Sequence, residues 1–539
     1  MEENKQLPGL IGPEESTRIL GALNRGASRR DVLAMLTAAG MQAALAGSIA
    51  TAAATAHAQT PRKGGRIKVA GSTAAVSDTL DPARHSNSTD YVRGFMFYNG
   101  LTYLDASLAP QPQLAEEFTT KDAKTWVFKL RKGVTFHDGK SLTPQDVIFS
   151  LMRHKIPATA SRAKVLADQI EEVTATGPNE VTIRLAAPNA DFPVILGTYH
   201  FHIVKDGTID FNAGIGTGPY KVKDFKPGVR ALAVRNDNYW KPNRPYLDEI
   251  EHVGIGEESA RVNGLMAGEL DLVLAVDPRS VSRVTASSQH AIFETKAGPY
   301  PDLIMRRDST PGSNADFVQG MKLLFNREQM LKAIMLGHGV MANDQPIHPS
   351  MRFHFKGLKQ RSYDPEKAKW HLRRANLGSA AIPMVVSPAA SGSIEIATML
   401  QHEARKAGVH IDVRRMPADG YWAQHWMKHP VGFGTIQPRP SVDVMLSQFF
   451  KSDAPWNESG WKNDRFDQLL LAARGETDDA KRAQMYADLQ TMVHEESGVG
   501  IPYFMASIDG HTRKLKGLSP IPLGNLMGFS FAEHVWLDA

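Results

Sequence analysis

The chain contains no cysteine among its 539 residues. That absence excludes disulfides, thiolate zinc sites, a cysteine nucleophile and a lipidated N-terminal cysteine. Beyond residue 61 no stretch approaches the roughly eighteen consecutive apolar residues of a membrane-spanning helix. Basic residues form no stripe: 62 Lys and Arg are interspersed with 57 Asp and Glu, for a formal charge of +5. A nucleic-acid partner is therefore not expected. No Walker loop, Gly-x-Ser-x-Gly elbow or His-Glu-x-x-His motif occurs, so a secreted hydrolase is a remote alternative. Gly214-x-Gly216-x-Gly218 lacks the third spacing of a dinucleotide fingerprint, and Pro219 leads into a strand instead of a phosphate-binding helix.

What remains is the composition of a soluble globular protein, 42% hydrophobic and 22% charged. The length suggests about three to four domain-sized units.

Charge is also missing locally. Val32–Pro61 holds no Asp, Glu, Lys or Arg, and it follows Ser28-Arg29-Arg30-Asp31. With Ala56-His57-Ala58 as a small-x-small cleavage pattern, residues 1–58 are similar to a twin-arginine signal peptide. The alternative is an N-terminal anchor, but Ala, Gly and Thr make the stretch only mildly apolar. Five basic and five acidic residues precede residue 59, so the mature charge stays at +5.

In the mature chain, strands are predicted at residues 66–70, 181–185 and 220–235, and 125–136 reads as a strand and a turn. Asp138-Gly139 supplies a tight turn. Thr143-Pro144-Gln145-Asp146 opens a helix, with Thr as cap and Pro at the first helical position. Asp364-Pro365 opens another, and residues 394–407 form a third, closed by Gly408 and followed by a strand at 409–413. A long helical stretch covers 464–497. Strands and helices alternate irregularly, which predicts several mixed α/β lobes.

Four passages carry a resemblance. The first runs from Leu114-Ala115-Glu116-Glu117-Phe118 through Trp126 and His137-Asp138-Gly139 to Asp146-Val147-Ile148-Phe149-Ser150. The second runs from Gly216-Thr217-Gly218-Pro219-Tyr220 to Asn236-Asp237-Asn238-Tyr239-Trp240. Met266-Ala267-Gly268-Glu269-Leu270-Asp271 is the third. The fourth pairs Tyr363-Asp364-Pro365-Glu366 with Phe466-Asp467-Gln468-Leu469-Leu470. In this order they resemble the peptide- and nickel-type extracellular solute-binding proteins of ABC importers, family 5. Most of these residues are expected to set turns, caps and cores, with Trp126 and Trp240 as core fillers.

The resemblance implies an α/β, two-lobed periplasmic-binding-protein-like fold with an extra subdomain, mixed sheets flanked by helices, and a cleft between the lobes. The expected divisions are a first lobe over 59–297 with an inserted subdomain at about 91–212, a second lobe over 298–501, and a tail at 502–539 returning to the first lobe. It also implies a non-enzymatic, monomeric periplasmic protein without cofactor. Such a protein captures a peptide or peptide-like solute and presents it to permease subunits served by cytoplasmic ATPases. A nickel or metal-chelate ligand is the alternative within the family.

In peptide-binding relatives an extended ligand is held through its main chain, like an added strand. A carboxylate just ahead of an Asp-Pro-Asp-like stretch meets the ligand's α-ammonium. Here that position falls near Gln437 or Pro438, and no Asp or Glu lies between Asp419 and Asp443. Either another acid substitutes or the ligand lacks that group. The ligand-binding residues expected on the second lobe are Tyr421, Trp422, Trp426, Gly434, Thr435, Gln437 and Arg439. Trp422 and Trp426 would share a helix face, and Arg439 either faces the cleft, favouring a ligand anion, or points to solvent or pairs with Asp443. On the first lobe they are Ser72, Thr73, His85, Ser86 and Asn87. No catalytic or metal residue is assigned, although His425 and His429 have metal-ligand spacing on a helix.

Overall fold

A computed structural model describes residues 61–538. The expected signal peptide at 1–58 lies outside the described residues. No helix among those described is long and apolar enough to cross a membrane.

The largest sheet is centred on Arg66–Gly71, which pairs in parallel with Glu249–Gly254 and Leu272–Val273. Antiparallel Arg230–Arg235 and Tyr220–Lys226 extend it on one side, and Tyr503–Thr512 and His290–Lys296 on the other. Ile67 and Val69, both buried, pack with Val92, Met96 and Phe97 of the helix Ser88–Phe97. That helix belongs to the main sheet's core. The inserted layer is a four-stranded antiparallel sheet of Ala115–Thr120, Thr125–Leu130, Glu180–Leu185 and Ile170–Gly177. Its alternation is plain in Trp126, Phe128 and Leu130, which point inward while Lys129 is exposed. The helix Pro144–Met152 starts as its cap predicts: the Thr143 N–H donates to the Asp146 carboxylate at 2.7 Å.

Two further sheets form the second lobe. Tyr300–Met305 lies between Val431–Ile436 and Val499–Gly500, and Ile382–Val386 pairs in parallel with Ile411–Arg415. The helix Ser393–Lys406 precedes Ile411–Arg415, with Gly408 at φ +85° in the left-handed region that glycine allows. The long helical stretch expected over 464–497 consists of two helices, Asp464–Gly475 and Asp479–Glu496. Asp478 breaks it, because its carboxylate caps the N–H groups of Ala480 and Lys481.

The chain crosses between the lobes at Ala297–Pro299 and again at Tyr503–Thr512. That last strand belongs to both: its first three residues pair with Gly339–Met341 and the rest with Lys296–His290. Gly216 and Gly218 have a packing role, since a Cβ at either would run into the backbone at Phe97. This close approach replaces any phosphate-binding reading of that triplet.

Candidate functional site

On the first lobe, the helix Ser88–Phe97 and the short turn Tyr199–Phe201 bring Tyr91 and Tyr199 together. Their rings stack with centroids 3.6 Å apart. Phe529, from the C-terminal segment, meets both edge-on at 5.3 and 5.9 Å. Burial raises both tyrosine hydroxyls above their ordinary range, and the positive charge of Arg439 works against that rise. The charge of Arg439, on the second lobe, is thus felt at the aromatic group of the first.

Arg439 follows the strand Val431–Ile436, in the loop that leads into the helix Val442–Phe449. Its Nε donates to Gln448 Oε1 at 2.6 Å, and Nη1 to the carbonyls of Gln437 and Pro438 at 2.9 and 3.3 Å. The guanidinium lies 5.0 Å from the Phe449 ring and 5.7 Å from Trp456. Nη2 has no hydrogen-bond partner among the described residues, and burial lowers the group's pKa. The alternative pairing does not form. Asp443 is bound by Arg474 Nε, at 3.1 Å to each carboxylate oxygen. Arg439 is therefore oriented by neutral groups, stacked on aromatic rings and left without a carboxylate. That is the arrangement of a cation prepared for an anion.

The other expected residues divide. Thr73 Oγ1 donates to Asn87 Oδ1 at 2.9 Å, Ser72 and Ser88 hydroxyls meet at 3.3 Å, and Asn87 caps the helix Ser88–Phe97. These three knit the end of the central strand to the helix. Ser86 is exposed. His85 is a correction: it is fully buried, neither ring nitrogen has a partner, and burial with the charges of His200, His202 and Arg93 lowers its pKa far below the usual value. It is a neutral core histidine.

On the second lobe Tyr421 is also a correction. It is buried in the lobe's core and its hydroxyl donates to the Phe433 carbonyl at 2.7 Å. The helix meant to align Trp422 with Trp426 stops at Gln424. The two rings still meet edge-to-face at 5.7 Å, Trp422 exposed and Trp426 half-buried. Trp426 Nε1 donates to Glu458 Oε1 at 2.6 Å, which commits its polar end to the protein. Thr435 Oγ1 accepts the Ser391 N–H at 2.8 Å, and Gln437 is exposed, lending its carbonyl to Arg439.

Gly434 has a clear reason to be glycine. It lies opposite Asp302 in the strand register, and a Cβ there would strike the carboxylates of Asp302 and Glu458. These two acids, 0% and 3% exposed, form a buried pair, and burial raises the pKa of both. Like charges this close cannot both ionise in the interior, so the pair holds a proton. Asp302 and Glu458 were not expected from the sequence. They are the acids behind the loop that lacks one. The signal was present in Gly434, a glycine inside a strand.

His425 Nδ1 and His429 Nε2 lie 3.2 Å apart, positioned to share a hydrogen bond. Among the described residues no group of three His, Asp or Glu is arranged to hold a metal ion.

The lobes also meet beside the site. The Asp191 carboxylate of the inserted layer meets Arg482 of the second lobe at 2.7 Å, with both side chains buried. Next to it the Ala190 N–H donates to the Arg474 carbonyl at 2.8 Å. Leu104, Leu108 and Val194 pack into the second lobe's core with Phe449, Leu470 and Tyr486.

Comparison with known proteins agrees with this architecture. The dipeptide-binding protein of Escherichia coli K12 is 26% identical over 485 residues, covering 80% of this chain and 90% of its own. Heme-binding protein A of Haemophilus influenzae is 25% identical over 454 residues, covering 76% and 81%. The periplasmic binding protein DppA of Helicobacter pylori, solved with the peptide STSA, superposes with a TM-score of 0.72 at 21% identity, over 89% of this chain and 99% of its own. Residues 109–458 match the model of the bacterial extracellular solute-binding proteins, family 5 (middle region). The two-lobed fold, the crossings between its lobes and this match together place the chain in the family 5 extracellular solute-binding proteins.

Proposed function

We propose that this chain is the solute-binding component of an ABC importer and that it captures a small peptide or peptide-like solute bearing a carboxylate or similar anionic group. Arg439 carries this reading: an oriented guanidinium between the lobes with no carboxylate of its own. A ligand anion there would make a charge-assisted bond and offset the cost of burying the cation. The Tyr91, Tyr199 and Phe529 rings would cover the ligand from the first lobe. In this reading binding and release are the whole cycle. A ligand touching both lobes favours the closed form in proportion to its differential affinity, and that form is what the permease subunits would recognise. The peptide ligands named for the Escherichia coli and Helicobacter pylori relatives support the solute class.

The setting follows from the same reading. The protein works as a monomer in the periplasm, exported by the twin-arginine signal at 28–33. Replacing Arg29 and Arg30 with Lys should leave precursor in the cytoplasm, whereas unchanged periplasmic yield removes that route.

The function is tested by denaturing the purified protein and reading the mass of any released molecule. The expected result is one anionic solute. Added back at about 100 times its Kd, it should stabilise the fold by roughly 2.7 kcal/mol. A chain that yields no molecule and shows no thermal shift across peptides, conjugates and chelates would be a scaffold instead.

A further inference from the structure

A cavity of about 380 Å³ opens where the first strands of the inserted layer, the loop after Asn238 and the C-terminal segment meet. It goes beyond the site at Arg439, because none of its lining comes from residues 298–504. Its volume is within the range of small-molecule sites. Trp240, expected to fill a core, forms one wall, and its indole N–H is fixed on Asn99 Oδ1 at 3.1 Å. Tyr103, Leu104, Ile521 and Leu523 supply further apolar surface.

The charges in the wall are unequal. The Arg131 guanidinium lies 5.0 Å from the Trp240 ring, and its Nε donates to the Gln113 carbonyl at 3.1 Å. Arg244 Nη1 donates to the Glu533 carbonyl at 3.0 Å and to His534 Nδ1 at 2.8 Å. Burial lowers the His534 pKa to about 4, so that ring is neutral and accepts. Neither arginine meets a carboxylate among the described residues.

The two acids of the lining are already occupied. Glu533 takes Lys241 Nζ at 2.8 Å and the Tyr239 hydroxyl at 3.0 Å. Asp105 accepts from Ser107, Ala109 and Gln111 at 2.7–3.0 Å. An entering anion would find two guanidinium groups with donors to spare; Glu533 is neutralised by Lys241, and Asp105 keeps its charge but is tied down by four neutral hydrogen bonds. The segment behind the cavity is strained: Leu526, Met527 and Phe529 all adopt positive φ, between 52° and 75°. Such strain collects at ligand sites.

We propose that this cavity binds a small organic oxyanion, with its apolar or aromatic body against Trp240 and Tyr103 and its charge between Arg131 and Arg244. Benzoate and phenyl phosphate are suitable probes, with neutral benzamide as control, each titrated calorimetrically into the mature chain. The expected result is binding of at least one anion with Kd of about 1 mM or tighter, and benzamide weaker by tenfold or more. Comparing the two anions separates carboxylate from phosphate chemistry. Replacing Arg131→Gln and Arg244→Gln together should weaken the anion at least tenfold, and the Lys pair at the same positions should restore part of it. Arg439→Gln should leave this binding unchanged, which keeps it distinct from capture between the lobes. The proposal is overturned if neither anion binds at about 10 mM, if benzamide binds equally, if the double Gln variant behaves as wild type, or if Arg439→Gln abolishes the binding.

Discussion

Two arginines on the second lobe face the first lobe, and they are treated in opposite ways. Arg482 is buried against Asp191, with Nε donating to the Ala473 carbonyl and Nη2 to the Tyr486 hydroxyl. Arg439 sits on aromatic rings and backbone carbonyls, and among the described residues Nη2 has no partner and no carboxylate pairs with the group. Desolvating a cation is costly in both places, but only at Arg482 does the protein itself supply the counter-charge. The difference separates two tasks. The Asp191 side holds the lobes together, and the Arg439 side keeps an unmet demand for negative charge that a solute can meet.

The largest expected effect tests the holding side. Asp191→Ala leaves Arg482 buried and uncompensated, and should lower stability by about 3–5 kcal/mol, read by chemical unfolding. A loss within about 0.5 kcal/mol would mean that the pair does not bear on stability and would erase the contrast.

A second, smaller effect concerns the acids behind the Arg439 loop. Burial raises the pKa values of Asp302 and Glu458, so the folded state holds a proton that the unfolded state releases. The stability from this pair is therefore fully present below the ordinary carboxylate range and is lost as pH rises through the raised values. Thermal unfolding of the wild type should show that decline above the ordinary carboxylate range. Asp302→Asn, whose amide can donate to Glu458 without titrating, should flatten it. An identical pH slope in the variant would show that the two carboxylates do not share a proton.

The smallest effect is expected at Trp422, which is 43% exposed and makes no hydrogen bond among the described residues. Trp422→Ala should change solute affinity less than threefold and stability by less than about 0.5 kcal/mol. A larger loss of affinity would extend the binding surface along the second lobe, away from Arg439.

Much of this contrast was legible in the sequence where the cause is local. The Thr143 cap and the Gly408 helix end depend on neighbours a few residues away. Arg439 stood out for a related reason: the loop that should carry an acid carries a base. Where the cause is tertiary, composition misleads. Tyr421 looks like a cleft aromatic, yet its hydroxyl is committed to Phe433 by strand packing twelve residues on. Tyr91, Tyr199 and Phe529 come from three distant segments, and no spacing in the chain announces that they meet. Asp302 and Glu458 are 156 positions apart, and only the strand register against Gly434 brings them together. Trp240, expected from the family pattern to pack, does pack against the inserted layer's core and also forms a wall of the cavity.

The central claim is that Arg439 receives the charge of the solute, and calorimetric titration of the released, identified molecule into wild type and Arg439→Ala tests it directly. The account predicts a loss of about 2–5 kcal/mol in binding with the fold intact. An affinity within a factor of three of wild type would contradict it and would move the site towards Tyr91, Tyr199 and the main chain around Gly434.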